Sequence, residues 1–159
     1  MTSVAPRRPV NGKQLRADRT RTMVIDETVR CVNEEGFGAA SAKHITERAG
    51  VSWGVIQYHF GDRDQLLMAV VDEGFAGLQR CLADVEVPNG PLRERVRAVV
   101  EAAWPAFSNP TSMAAQEILV ATRVGRNRKL NRHLAQLTRA STNLAPSWYP
   151  MATAPRSAG

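Results

Sequence analysis

An all-α fold is predicted by three features of this chain. Apolar residues recur at spacings of three and four, no stretch alternates with a period of two, and Gly or Pro punctuates the ends of the periodic segments. The punctuation divides the 159 residues into a head of three helices and a short helical body, with no internal repeat.

The opening residues place Pro6, Pro9 and Gly12 among basic side chains, offer nothing to bury, and read as a flexible basic arm reaching to about residue 16. From Ala17 to Glu35 there is neither Pro nor Gly, and Ile25, Val29 and Val32 set an apolar stripe on one helical face, which Gly36 is expected to end with a left-handed cap. Ser41 can accept from the free amides of a second, short helix carrying Ile45 and Ala49, closed by Gly50. Ser52 is the next cap candidate, and Val55, Ile56 and Phe60 give a third helix of about two turns before Gly61.

Asp62 and Gln65 form a capping-box pair ahead of a long helix whose Leu67, Val71, Phe75, Leu78 and Leu82 share a face as far as Val87-Pro88. Pro91 suits the first turn of a fifth helix bearing Leu92, Val96, Val99 and Ala103, which Pro105 is expected to break or kink after Trp104. A sixth helix is predicted over Ser112 to Val124 and a last, Arg- and Lys-rich one over Asn127 to Thr142, before a loose tail with Pro146, Pro150 and Pro155. The resulting division is an arm at 1–16, a head at 17–61, a body at 62–143 and a disordered Pro-rich tail at 144–159.

The formal charge of +6 sits at the two ends: six Lys and Arg against Asp18 alone in residues 1–22, and seven against no acid in residues 118–159. Basic ends favour a polyanionic partner because Lys and Arg release the counterions condensed on nucleic acid, although solvated basic tails are common. No apolar run approaches the roughly 18 residues that span a bilayer, and Met1–Gly12 holds no signal-peptide core, so a cytoplasmic location is expected. Cys31 and Cys81 each lie in an apolar-periodic segment and read as reduced, buried thiols. His44, His59 and His133 lack metal-ligand spacing, and neither a nucleophile elbow nor a Gly-rich phosphate loop is present. No metal, no cofactor and no enzymatic activity are therefore expected.

Two short helices joined across Gly50-Val51-Ser52 have the layout of a helix-turn-helix, whose second helix can lie in the major groove of DNA. Gly50 supplies the positive φ that the turn needs, and Val51 can plug the angle between Ile45 and Ile56. On spacing alone, a helical hairpin that caps a bundle has the same layout.

Gly36-Phe37, the run from Ile45 to Phe60 with its Ala49-Gly50-Val51-Ser52 core and His59-Phe60 pair, and Asp62-Arg63-Asp64-Gln65-Leu66-Leu67 resemble the DNA-binding head of the TetR family over about residues 19–68. The resemblance implies a transcriptional regulator, most often a repressor, that binds a double-stranded DNA operator as a homodimer and is relieved by a small apolar effector. It implies that Ser41 and Lys43 touch phosphate and that Ser52, Trp53 and Gly54 open the recognition helix, with Gln57, Tyr58 and His59 following. Within that frame Lys43, Tyr58, His59 and Arg63 are assigned mainly to the DNA backbone, and Trp53, Gly54 and Gln57 to base edges. Arg63 stands where the family commonly has lysine, and Gln57 where it usually has tyrosine; glutamine can pair bidentately with adenine. Tyr58 and His59 have packing against the first helix as the competing role, whereas Phe60 is read as core. Arg16, Arg19 and Arg21 either reach phosphate or the minor groove, or are solvated charge.

In the body, Phe75, Leu78, Trp104, Phe107, Met113 and Leu119 either line a small apolar effector cavity or form plain core. The family's last two long helices, which pair in its dimers, have no clear match, because the chain turns basic and Pro-rich after Thr142. Arg126, Arg128, Lys129, Arg132 and Arg139 either add nonspecific DNA affinity or stay solvated. The alternative function is a truncated head that acts only as a heterodimer or interaction module, or a non-functional remnant.

Overall fold

The carboxyl-terminal half of the first helix is the post around which the chain packs. In the computed structural model, which describes residues 12–83, 86–123 and 135, this helix, α1, spans Gly12–Glu35 and buries Val24, Ile25, Thr28, Val29, Cys31 and Val32. It begins at Gly12, so the last residues assigned to the arm are helical; Lys13, Gln14, Leu15 and Arg16 are all good helix formers with no Pro or Gly to stop them. Gly36 takes the anticipated positive φ of 85° but with ψ 162°, an extended rather than left-handed helical pair. The chain therefore leaves α1 through a 3-10 turn at Phe37–Ala39, which the periodicity did not foretell.

Helices α2 (Ala42–Ala49) and α3 (Trp53–Phe60) follow, and then α4 (Arg63–Ala83), whose first turn is capped where Asp62 Oδ1 accepts from the Gln65 amide at 2.7 Å. The α4 helix buries every residue from Leu66 to Val71, because α1 and α3 cover one side of it and α6 (Pro110–Ala121) the other. Close approach of α4 to α6 depends on Gly74, since a Cβ there would lie 2.9 Å from Ala115 Cβ. The helix ends at Ala83, short of the expected Val87-Pro88, and residues 84–85 are outside the description.

The α5 helix (Leu92–Ser108) runs on through Pro105 instead of breaking there. Proline removes a single amide donor close to the helix end, and the Asn109 side chain closes the last turn by donating to the Ala106 carbonyl at 2.6 Å. Asn109 also caps α6, accepting from the Ser112 amide at 3.0 Å with Pro110 in the first turn, so α6 starts two residues earlier than Ser112 and stops at Ala121. Two side-chain bonds tie it to the end of α1: Asn33 donates to the Pro110 carbonyl at 2.9 Å, and Glu117 accepts from the Phe37 amide.

The all-α prediction holds: no strand occurs among the described residues, and none of their helices is long and apolar enough to cross a membrane. Cys31 is buried, whereas Cys81 is only half-buried and donates to the Ala102 carbonyl; both thiols are free. The arm before Gly12, the five basic residues from Arg126 to Arg139, the helix predicted over Asn127 to Thr142 apart from Ala135, and the Pro-rich tail lie outside the described residues.

Candidate nucleic-acid interface

The turn between α2 and α3 is closed by backbone alone. Gly50 adopts φ 63° and ψ 30°, and the amides of Gly50 and Val51 return to the carbonyls of Glu47 and Thr46 at 3.3 and 3.1 Å. Val51 is half-buried and packs against the core that includes the wholly inaccessible Ile45 and Ile56, consistent with the plug expected at this angle. Ser41 caps α2 as anticipated, its hydroxyl accepting from the His44 amide at 3.2 Å. Ser52 has the extended backbone of a cap residue, but its hydroxyl makes no capping hydrogen bond.

At about 100° per residue, Trp53, Gly54, Gln57 and Tyr58 fall within an arc of roughly 140° on α3, and Ile56 lies roughly 130° from the centre of that arc. All four are exposed, Tyr58 by 77%, and its ring stands in a T-shaped contact with His59, 4.9 Å between centroids. Packing of Tyr58 onto α1 is thereby ruled out, while His59 is half-buried. Phe60 packs against the core as assigned but is only half-buried, with the Arg21 guanidinium 5.4 Å above its ring.

The cations near this face differ in how free they are. Lys43 is extended into solvent, 3.8 Å from Glu47 one turn along. Arg63 is drawn inward, donating through Nε to the Ala40 carbonyl at 2.6 Å and lying 5.2 Å over the Phe37 ring. Arg21 sits 3.9 Å from Glu73, whereas Arg16 and Arg19 are exposed along the first turns of α1. Helical geometry fixes those two at three-residue spacing on a rigid rod rather than on an arm.

An ion-pair cluster that the sequence reading missed holds α2 against α1. Arg48 bonds Glu27 and Glu34 at 2.7 Å each and also Glu35, while Arg30 reaches Glu27 at 2.8 Å and His44 Nε2 meets Glu35 Oε2 at 2.9 Å. Hydrogen bonds to Glu34 and Glu27 raise the Arg48 pKa above the ordinary guanidinium value. For Glu35, desolvation opposes ionisation, but bonds from His44 and Arg48 outweigh it and leave the carboxyl below its usual range. A signal for the cluster was available: Glu27 lies on the same face as Val24, Thr28 and Cys31, and a carboxylate on a buried stripe calls for a partner.

Of the residues expected around an effector cavity, Phe75, Leu78, Phe107 and Leu119 do converge, on an open apolar pocket of about 80 Å³ between α4, α5 and α6. Trp104 and Met113 do not; they are 67% and 53% exposed and belong neither to the lining of this pocket nor to the buried core. The pocket is smaller than the roughly 300 Å³ at which drug-sized sites begin. The α5 helix also leaves Leu92, Val96, Val100, Trp104 and Phe107 exposed along its length.

Residues 24–70 match the sequence model described as "Bacterial regulatory proteins, tetR family". Curated relatives include the HTH-type transcriptional regulator BetI of Escherichia coli O17:K52:H18, 32% identical over 83 residues, which is 51% of this chain and 43% of that protein. BetI of Burkholderia ambifaria strain MC40-6 is 34% identical over 87 residues, 52% of this chain and 43% of its own length. The matches thus span less than half of these relatives, which are named as transcriptional regulators. Over a longer stretch, a crystal structure of the multidrug binding protein EbrR complexed with imidazole superposes with a TM-score of 0.62 at 19% identity, covering 91% of this chain and 77% of that one. That likeness extends the shared fold past the head into the body.

Proposed function

We propose that this chain, whose residues 24–70 match the tetR family of bacterial regulatory proteins, regulates transcription by seating α3 in the major groove of an operator. The observation that carries this reading is the exposed row Trp53, Gly54, Gln57 and Tyr58 on a helix whose opposite side is fixed by the inaccessible Ile56. Trp53, Gly54 and Gln57 read base edges, while Ser41, Lys43, Ser52, Tyr58 and His59 hold phosphate. Arg63 keeps the start of α4 against the Ala40 carbonyl and offers phosphate only its remaining donors. Arg19, with Arg21 behind it, approaches the backbone from α1.

In this reading the division is a head ending near residue 61 and a body behind it. The protein represses by occupying its operator in the cytoplasm and performs no catalysis. A small apolar effector, entering between α4 and α5 beside Phe75 and Phe107, relieves it.

Fluorescence anisotropy on DNA from beside the gene separates the roles. Lys43→Ala is expected to weaken binding to all sequences alike and to lower the salt slope by about one, whereas Gln57→Ala loses about 1–3 kcal/mol of discrimination at one base pair. Equal losses on every sequence from both substitutions would refute the assignment.

The exposed row on α5 favours a second reading, in which the chain acts on DNA only when paired with a longer relative of the same family that covers this face. Trp104→Glu is then expected to abolish pairing in sedimentation velocity by at least tenfold in affinity, without lowering Tm. Undiminished pairing by that variant would remove α5 from the interface.

A further inference from the structure

We propose that Cys31, Glu35 and His44 form a transition-metal site that joins the first helix of the head to the second. Their donor atoms, the Cys31 sulfur, a Glu35 carboxylate oxygen and a His44 ring nitrogen, all lie within 4.8 Å of one another. Cys31 and Glu35 are one turn apart on α1, the i, i+4 spacing that presents two ligands to one ion, and the third donor comes from the facing helix.

The donor set selects the metal class. A thiolate with an imidazole and a carboxylate suits Zn(II) and its spectroscopic substitute Co(II) better than Mg(II) or Ca(II), which prefer oxygen alone. Three protein donors leave a fourth tetrahedral position for solvent, and the half-exposed His44 and Glu35 side chains give the ion a way in. Cys31 is fully enclosed and closes the inner side.

The surroundings are those of a metal site's outer shell. Glu35 presents Oε2 toward His44 while its Oε1 is held by Arg48, so one oxygen can bind the ion as the other stays anchored. Glu27, Glu34 and Glu35 outnumber Arg30 and Arg48 here, which leaves a local excess of negative charge for a cation to offset. On binding, the Cys31 thiol proton leaves to solvent, the sulfur–metal bond forms, and His44 coordinates as neutral imidazole. The Glu35–His44 hydrogen bond is replaced by two bonds to one ion, which cross-link α1 to α2.

Titration of the full, reduced chain with Co(II) tests this without reference to DNA. One equivalent is expected to produce a thiolate-to-cobalt charge-transfer band that Zn(II) displaces, and saturating Zn(II) is expected to raise Tm. His44→Gln and Glu35→Gln should each weaken Co(II) binding at least tenfold, Cys31→Ser should abolish the band, and Cys81→Ser should leave it unchanged. Absence of a band from the parent chain, its loss in Cys81→Ser, or its full retention in His44→Gln would overturn the proposal. The His44 variant keeps the test decisive should Cys31→Ser fail to fold, since its side chain is 37% exposed.

Discussion

Ile56→Ala is expected to destabilise the head by about 2–5 kcal/mol, because it removes a large inaccessible side chain from the only buried position of an eight-residue helix. Total stability for a protein of this size is on the order of 5–15 kcal/mol, so the loss detaches α3 at temperatures where the parent chain is folded. Thermal unfolding should show a Tm lower by many degrees, with DNA binding lost in parallel. Tyr58→Ala is the matching control: 77% exposed and in T-shaped contact with His59, it should leave Tm almost unmoved while weakening DNA binding. If Tyr58→Ala lowered Tm as far as Ile56→Ala, the division of α3 into a packed side and a presented side would be wrong.

That division was legible in the sequence because the head is governed by short-range rules. Gly50 after a periodic segment and Ser41 before one each act within a turn of themselves, and both take the expected conformations. The element boundaries that moved are those settled by residues farther along. Pro105 does not end α5, because Asn109, four residues on, satisfies the end of the helix with its side chain. Phe37–Ala39 coils into a 3-10 turn whose amide at Phe37 is received by Glu117, eighty residues away. Site residues show the same limit. Exposure of Gln57 and Tyr58 follows from helical phase, whereas the inward commitment of Arg63 depends on a carbonyl at Ala40 and a ring at Phe37 that no local pattern announces. Trp104 and Met113 have apolar spacing appropriate to a core, yet nothing among the described residues covers them.

Arg48→Ala is expected to have the second large effect, and to act on DNA binding through geometry rather than contact. Among the described residues the guanidinium is the one group that touches Glu27, Glu34 and Glu35 together, and those three carboxylates occupy the last turns of α1 beside α2. Removing it leaves like charges facing one another and Glu27, 9% exposed, with Arg30 as its remaining ion-pair partner. Tm should fall by roughly 5–10 °C, and DNA affinity should drop even though the Arg48 guanidinium is engaged by carboxylates of α1. Arg48→Lys should recover only part of both, since a single ammonium cannot serve three acceptors in fixed directions as the planar fork does. Adding Glu27→Gln to Arg48→Ala should restore part of the lost stability, a non-additivity that identifies the pair as coupled. Strict additivity in that cycle, or full function of Arg48→Lys, would show instead that α2 is held to α1 by Ile45 and its apolar neighbours alone.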